Sequence, residues 1–376
     1  MSRPASQRSH VRRDPATGVA ASHHAGGDRL AVVTGSEGFI GRHLVRRLSA
    51  EGWRVRAVDL SAPERAAPGS GASKPEAADP GPRQDPAPEP AVSRAVDHHR
   101  ADVRDEEAMA GALAGADTVF HLASAHLEHG APEEWYRSVN VDGARSVARI
   151  AARAGVRRLV HTSSVGIYGH VQNPPADEDA PKAPSNPYER TKLLGEEAVL
   201  DTADEEGLEV LVLRPGWVYG PGCRRTEKLL RAVRRRRFAF VGDGSNLRHP
   251  LHISDMLEAF LLAADAPSGA VGGTYLVVGP RPVSVRELVR ACARVQGVPE
   301  PKLRLPRPLV SAGLGGVEFA FRLVGRTPPV SRRSLAFFEN DNAFTGQAAA
   351  EALGFEPRVG LEEGLRATLD APEVAA

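Results

Sequence analysis

Two side chains four residues apart, Tyr188 and Lys192, are of the right types to move a proton on and off an alcohol oxygen. In a helix that spacing puts both on one face. An ammonium beside a phenol favours the phenolate, so Lys192 is expected to draw the Tyr188 pKa down from its usual value of about 10. A phenol tuned in this way is a general acid or base for an alcohol and ketone pair, and Ser164 could hydrogen-bond the same oxygen. Ser164 closes the run Val156-Arg157-Arg158-Leu159-Val160-His161-Thr162-Ser163-Ser164, which reads as a buried strand ending in hydroxyls. Asn140 falls inside the helical pattern of Trp135 to Ala154, where an asparagine is locally disfavoured unless it faces the surface or has a special task. A Tyr-x-x-x-Lys spacing occurs on many helices by chance, so its meaning depends on the elements around it.

The first of those elements is Leu30 to Leu44. An apolar β-favouring run leads into Gly35, Gly38 and Gly41 at spacing three, and Phe39, Ile40, Leu44, Val45 and Leu48 follow with helical periodicity. Gly35 can take the turn's backbone angles, Gly38 lets main chain approach a phosphate, and Gly41 lets the helix pack close to the strand. The helix N-terminus then offers unpaired amides to a pyrophosphate. Trp53 to Asp59 alternates as a strand, and Asp59 stands 18 residues beyond Gly41. A carboxylate there would accept from the adenosine ribose hydroxyls and repel a 2′-phosphate, which favours NAD over NADP. Arg56 and Arg65 are the cations that keep NADP as an alternative. Further on, Asp102 could meet the adenine amino group and Asp105 could cap a helix. The apolar run Asp117 to Ala125 empties into small residues, leaving room for a cofactor, and His126 and His129 after it read as surface histidines.

Composition bounds the rest. With 376 residues, 41% of them hydrophobic, the chain can bury a large α/β core. A net charge of +1 gives no global field to recruit nucleic acid or an anionic membrane. Cys223 and Cys292 are far apart and in no metal-ligand spacing, as expected of free thiols in a reducing cytoplasm, and no metal is expected. No stretch is apolar for long enough to span a bilayer. Residues 1–28, including the adjacent His23 and His24, read as a disordered tail. Residues 29–215 read as a nucleotide-binding domain carrying an Ala/Pro-rich disordered insertion at about 61–96, and 216–376 mainly as a substrate-binding lobe. Arg234 to Arg237 is the one sharp basic run and reads as a solvated helix end, with a phosphate-gripping role second. The apolar helical stretch from Leu305 to Val324 could line a greasy pocket or rest on a membrane surface, a core or interface helix being the commoner role.

Taken in order, Thr34 to Gly41, Asp59, Asp102-Val103, His121-Leu122-Ala123, Asn140, Thr162 to Gly169, Tyr188 with Lys192, and Leu213 to Gly222 resemble the extended short-chain dehydrogenase/reductase family, in particular its NAD-dependent epimerase/dehydratase branch. The resemblance runs over about residues 29 to 370. It implies a Rossmann-type, doubly wound parallel sheet with a smaller C-terminal substrate-binding lobe. Ser164, Tyr188 and Lys192 are then catalytic, with Asn140 supporting the lysine through water. Gly35, Gly38, Phe39, Ile40, Gly41, Asp59, Asp102, Val103, Leu122, Ala123, Tyr188 and Lys192 hold NAD. The resemblance also implies a homodimer through the helices that begin near Trp135 and Tyr188. Dehydratases of the branch carry Asp-Glu directly after the catalytic hydroxyl, where this chain has Val165-Gly166, so epimerisation or a simple dehydrogenase or ketoreductase is expected instead. Arg248 matches the arginine that grips a nucleotide diphosphate, and a guanidinium suits that group by bidentate geometry. A nucleotide sugar is therefore the expected substrate. The C-terminal stretch resembles the 3β-hydroxysteroid dehydrogenase-like branch, which keeps an apolar alcohol as an alternative. A non-enzymatic NAD-binding regulator is the other.

Overall fold

The computed structural model describes residues 29–61, 96–126, 131–323 and 335–371. The tail at 1–28, nearly all of the Ala/Pro-rich insertion, Arg65 and His129 lie outside the described residues. The inner strands of the main sheet are short apolar runs, whereas the edge strand β3 is polar and exposed, and the elements follow as β1 (Leu30–Thr34), α1 (Phe39–Ala50), β2 (Arg54–Asp59), β3 (Val96–Arg100), α2 (Glu106–Leu113), β4 (Thr118–His121), α3 (Glu133–Arg137), α4 (Ala144–Arg153), β5 (Arg158–Thr162), α5 (Pro187–Glu206) and β6 (Glu209–Pro215). Asp105 caps α2 by accepting from the Ala108 amide at 3.1 Å.

Between β6 and the last strand of the sheet the chain makes β7 (Trp217–Tyr219), α6 (Arg224–Arg234), β8 (Phe240–Val241), β9 (Leu247–Arg248), β10 (Pro250–His252) and α7 (Ile253–Ala264). It then returns as β11 (Thr274–Val277), pairing parallel with β6. The sheet has seven strands in the order β11-β6-β5-β4-β1-β2-β3, with the direction of growth reversing between β1 and β4. Such a reversal opens a crevice at the strands' carboxyl ends, the usual ligand position in a doubly wound sheet.

Pleating divides each strand between two cores. In β1, Ala31 and Val33 join α1 and α7 on one face, whereas Val32 joins α2, α4 and α5 on the other. The division expected at residue 215 is therefore not a cut in space, because β11 and α7 belong to the main sheet and its covering layer. A third core holds the remaining lobe together: Leu230 and Val233 of α6 and Phe240 meet Leu288 and Val289 of α8 (Val285–Val295), which follows directly on β12 (Val283–Ser284). Arg158, at the start of β5, ties α7 down by donating to the carbonyls of Ala263, Ala264 and Ala266 at 3.2, 3.0 and 2.7 Å.

Two helical glycines make a paired test of this packing. A Cβ at Gly41 would stand 2.1 Å from the Gly35 carbonyl oxygen, whereas one at Gly111 in α2 would meet nothing within 4 Å. Gly111→Ala should raise stability by about 0.5–1 kcal/mol through helix propensity. Gly41→Ala should lower it despite the same propensity gain, and should weaken dinucleotide binding because the turn must shift. Thermal melts and NAD titration of the two variants check this; equal effects would mean that the close approach at Gly41 does not constrain the turn.

Candidate active site

The turn after β1 is built almost entirely from main chain. Gly35 has φ +71°, and its amide donates to the Val58 carbonyl at 2.9 Å, fixing the turn against β2. A Cβ at Gly35 would lie 2.7 Å from the Ala123 nitrogen, so the turn passes hard against the loop after β4. That loop is held in return: the Leu122 amide donates to the Thr34 carbonyl at 3.2 Å and the Ala123 amide to its hydroxyl at 3.3 Å. Helix α1 starts at Gly38 with no side-chain cap and no acidic residue in its first turn. Phe39, Ile40 and Gly41 thus open a helix whose dipole and amides are left for an outside anion. The Asp59 carboxylate accepts from the Glu37 amide at 3.1 Å and from the Ser61 amide and hydroxyl at 3.1 and 3.0 Å. Around it lies a crevice lined by Ser36, Glu37, Ala57, Asp59, Ser61, His98, His99 and Arg100.

A backbone turn that tolerates no Cβ, an uncapped helix and a carboxylate beside them fit a dinucleotide. Arg56 is committed elsewhere, to Asp97 at 3.2 Å and to the carbonyls of Ala112 and Ala114 at 2.7 and 3.1 Å. Asp102, expected near the adenine, is engaged by Arg104, which donates through Nη2 at 2.6 Å and holds the carboxyl below its ordinary range. Val103 is buried, its methyl group 2.9 Å from where a Cβ on Gly143 would be.

Asn140 lies in a π-helical turn, Ser138–Gly143, between α3 and α4. Such turns insert a residue into a helix and recur at functional sites. Its buried side chain accepts from the Ser124 hydroxyl at 3.0 Å and the Ala125 amide at 2.8 Å. It donates to the Ala125 carbonyl at 3.2 Å and to the Thr191 hydroxyl at 3.0 Å. The asparagine therefore ties the loop after β4 to α5 beside Lys192, its direct bond going to Thr191.

Asn186 caps α5, accepting from the Glu189 amide at 3.0 Å, with Pro187 in the first turn, so the helix begins one residue before Tyr188. Lys192 is buried and donates to the Thr162 carbonyl at the end of β5, Nζ to O 2.6 Å. Burial draws its ammonium down to about 8. The Tyr188 phenol moves the other way: burial pushes it up to about 12, against the lowering effects of the Arg225 charge and of a hydrogen bond with Ser164. This corrects the expectation that Lys192 would lower Tyr188. The lysine's hydrogen bond goes to a backbone carbonyl, desolvation dominates the phenol, and Arg225 is the cation that acts on it. Ser164 also accepts from the Gly166 amide at 3.0 Å. His126 is exposed, as expected of a surface histidine, and its ring meets Tyr188 edge to face at 5.1 Å.

A family model described as the NAD dependent epimerase/dehydratase family matches residues 31–279. The chain belongs to that family. Among relatives of this epimerase/dehydratase-family enzyme, 3beta-hydroxysteroid-dehydrogenase/decarboxylase isoform 2 of Arabidopsis thaliana is 28% identical over 92% of this chain and 62% of its own length. The chain thus spans 62% of that relative. N-acetyl-alpha-D-glucosaminyl-diphospho-ditrans,octacis-undecaprenol 4-epimerase of Escherichia coli O157:H7 is 29% identical over 71% of this chain and 81% of its own. Among solved structures, MoeE5 in complex with UDP-glucuronic acid and NAD superposes with a TM-score of 0.66 at 27% identity, covering 92% of this chain and 98% of the other.

Arg248 was expected to grip a diphosphate. It is buried, bonded to Asn342, and its guanidinium lies 5.0 Å from the centre of the Phe337 ring. Burial draws it down to about 10. The sequence reading also passed over a pair of histidines. His121, the last residue of β4, and His161, the last but one of β5, are in direct register, their ring centroids 5.3 Å apart, both buried and within reach of the Lys192 charge. Their equal places before Leu-Ala-Ser and Thr-Ser-Ser were the available signal.

Burial pushes His121 down to about 3, and His161 well below its usual range. An unfolded chain takes these protons near pH 6.5, so stability is full above that value and falls as the pH drops below it. The loss is up to about 1.4 kcal/mol per pH unit for each histidine. His161→Leu should flatten the fall in Tm between about pH 7 and about pH 5. Identical slopes in the two proteins would mean that His161 titrates as it does in water.

Proposed function

We propose that this chain interconverts a secondary alcohol and its ketone with NAD, Tyr188 carrying the proton of the substrate oxygen, Ser164 hydrogen-bonding that oxygen, and Lys192 and Asn140 supporting them. The observation that carries this reading is the meeting of Ser164, Tyr188 and Lys192 at the end of β5, two strands from the glycine turn of β1. NAD supplies the acceptor for the hydride that leaves the carbinol carbon. Gly35, Gly38 and the first turn of α1 take its pyrophosphate and Asp59 its adenosine ribose. The alcohol proton passes to the Tyr188 oxygen as the carbonyl forms. With its phenol near 12, Tyr188 is protonated at neutral pH and ready to donate to a ketone. Oxidation needs the phenolate, and Lys192, near 8, is the neighbour whose charge changes close to working pH.

For the substrate, the internal engagement of Arg248 and the likeness to the Arabidopsis dehydrogenase/decarboxylase support an alcohol on an apolar, sterol-like skeleton. The lobe built on α6 and α8 would shape that side of the pocket. A second reading, a nucleotide sugar, is favoured by Arg225, an exposed cation with no carboxylate partner among the described residues that acts on both Tyr188 and Arg248. A homodimer would form through α5, where Leu194 is exposed, and the buried free thiols of Cys223 and Cys292 suit the cytoplasm.

Tyr188→Phe should lose about 10²–10⁴-fold in turnover while NAD affinity stays unchanged; full activity in that variant would overturn the mechanism. The two substrate readings separate by calorimetry on the NAD-saturated protein. UDP should not bind if the alcohol is apolar. Binding that Arg248→Lys weakens would establish the nucleotide sugar.

A further inference from the structure

Two features unused by the catalytic reading meet on one surface. Strand β13 (Arg304–Leu305) pairs parallel with β8, the Phe240 amide donating to the Leu303 carbonyl at 2.9 Å and the Gly242 amide to the Leu305 carbonyl at 3.0 Å. Two residues separate the basic run Arg234 to Arg237 from β8, the strand along which Arg304 and Leu305 pair. Helix α9 (Arg307–Leu323) follows at once, and the Arg307 guanidinium lies 2.7 Å from where a Cβ on Gly242 would be.

The apolar side chains here face water. Leu303, Leu305 and Leu309 are 59%, 38% and 69% exposed, three of the five large hydrophobic residues so exposed among the described residues. No residue from Arg307 to Val317 is buried, and no charge interrupts Pro308 to Val317. Arg234 to Arg237, Lys302, Arg304 and Arg307 are exposed and have no carboxylate partner among the described residues. Of the carboxylates flanking β8 and β13 in sequence, Glu300 is engaged by Arg290 at 3.0 Å and Asp243 by the Ser245 amide and hydroxyl at 3.0 and 2.8 Å. Cations at the end of α6 do complement that helix's dipole, but this leaves the exposed leucines unexplained.

We propose that α9 and β13, with the arginine run beside them, form a peripheral docking surface for an anionic phospholipid bilayer. The leucines would enter the headgroup boundary while the cations meet lipid phosphates, the pattern of a helix that lies in an interface. No described helix is long and apolar enough to cross a membrane, which fits lying on the surface.

The full chain should co-sediment with vesicles of phosphatidylcholine plus phosphatidylglycerol at low salt, and much less with phosphatidylcholine alone or at high salt. Each cation near the surface contributes about 1 kcal/mol, so reversing Arg235, Arg236 and Arg237 to Glu should cut binding by about 100-fold. Leu305→Glu with Leu309→Glu should cut it at least about ten-fold with Tm unchanged, since both positions are exposed. Absence of vesicle binding, or binding that ignores these variants, would overturn the proposal. So would a loss of self-association in the leucine variant measured by light scattering, which would make the face a contact between copies. The readout needs no turnover, so its failure leaves the dehydrogenase reading standing.

Discussion

Arg214 enters β6 from one side and Glu196 comes down from α5 on the other, and both are almost wholly enclosed, at 4% and 3% exposure of their side chains. The guanidinium spans the carboxylate with Nε at 3.1 Å and a second contact through Nη2, while Nη1 reaches the Tyr168 hydroxyl and, at 3.2 Å, the Glu178 carbonyl. Two charges taken out of water cost several kcal/mol each, and only close, multiply bonded geometry offsets that. The pair therefore works as a registration device: Glu196 is one helical turn beyond Lys192, so any slide of α5 along the sheet would break a buried charge pair, at about 3–5 kcal/mol. The same network continues outward, where Glu178 also accepts from the Leu276 amide at 2.8 Å and so fastens β11 to the loop that precedes α5.

Held on its sheet side by Glu196, α5 is held on its helical side by contact with backbone. The Asn140 carbonyl oxygen would stand 2.0 Å from a Cβ on Gly195, a distance no other residue could tolerate without lifting the helix. The π-helical turn is what puts that carbonyl there, since the extra residue lets Asn140 present its main chain to α5 and its side chain to Ala125 and Thr191. Asn140, Gly195 and Glu196 thus set the height and register of the helix that carries Tyr188 and Lys192.

Much of this was legible in the chain. Alternating apolar strands and helices, glycines at spacing three after the first strand, and an acid ending the second are local signals, and each element they predict is present within a residue or two. The non-local arrangements were not legible. Periodicity carries no sign that Thr274–Val277 goes home to β6 after nearly sixty residues away, because a short edge strand looks the same in any sheet. Trp135 to Ala154 read as one helix, and its π-helical turn is invisible in side-chain spacing that the flanking turns dominate. Arg248 was read from its match to a motif, whereas its surroundings are decided by Asn342 and Phe337, distant in sequence and packed over it in space.

The pKa order of the site follows from one fact that the four-residue spacing omits. A dry pocket penalises every charge within it, so it raises a phenol and lowers an ammonium together, and both shifts favour the same neutral pair. Tyr188 and Lys192 each lie far enough from their ordinary values to represent about 3 kcal/mol. His121 and His161 stay neutral for the same reason, burial first and the Lys192 charge second opposing their protonation. Arg225 is exposed, and its field still reaches the phenol. The Tyr188 phenol is thus set by burial against the Arg225 charge and the Ser164 hydrogen bond, and none of these is encoded in the Tyr-x-x-x-Lys spacing.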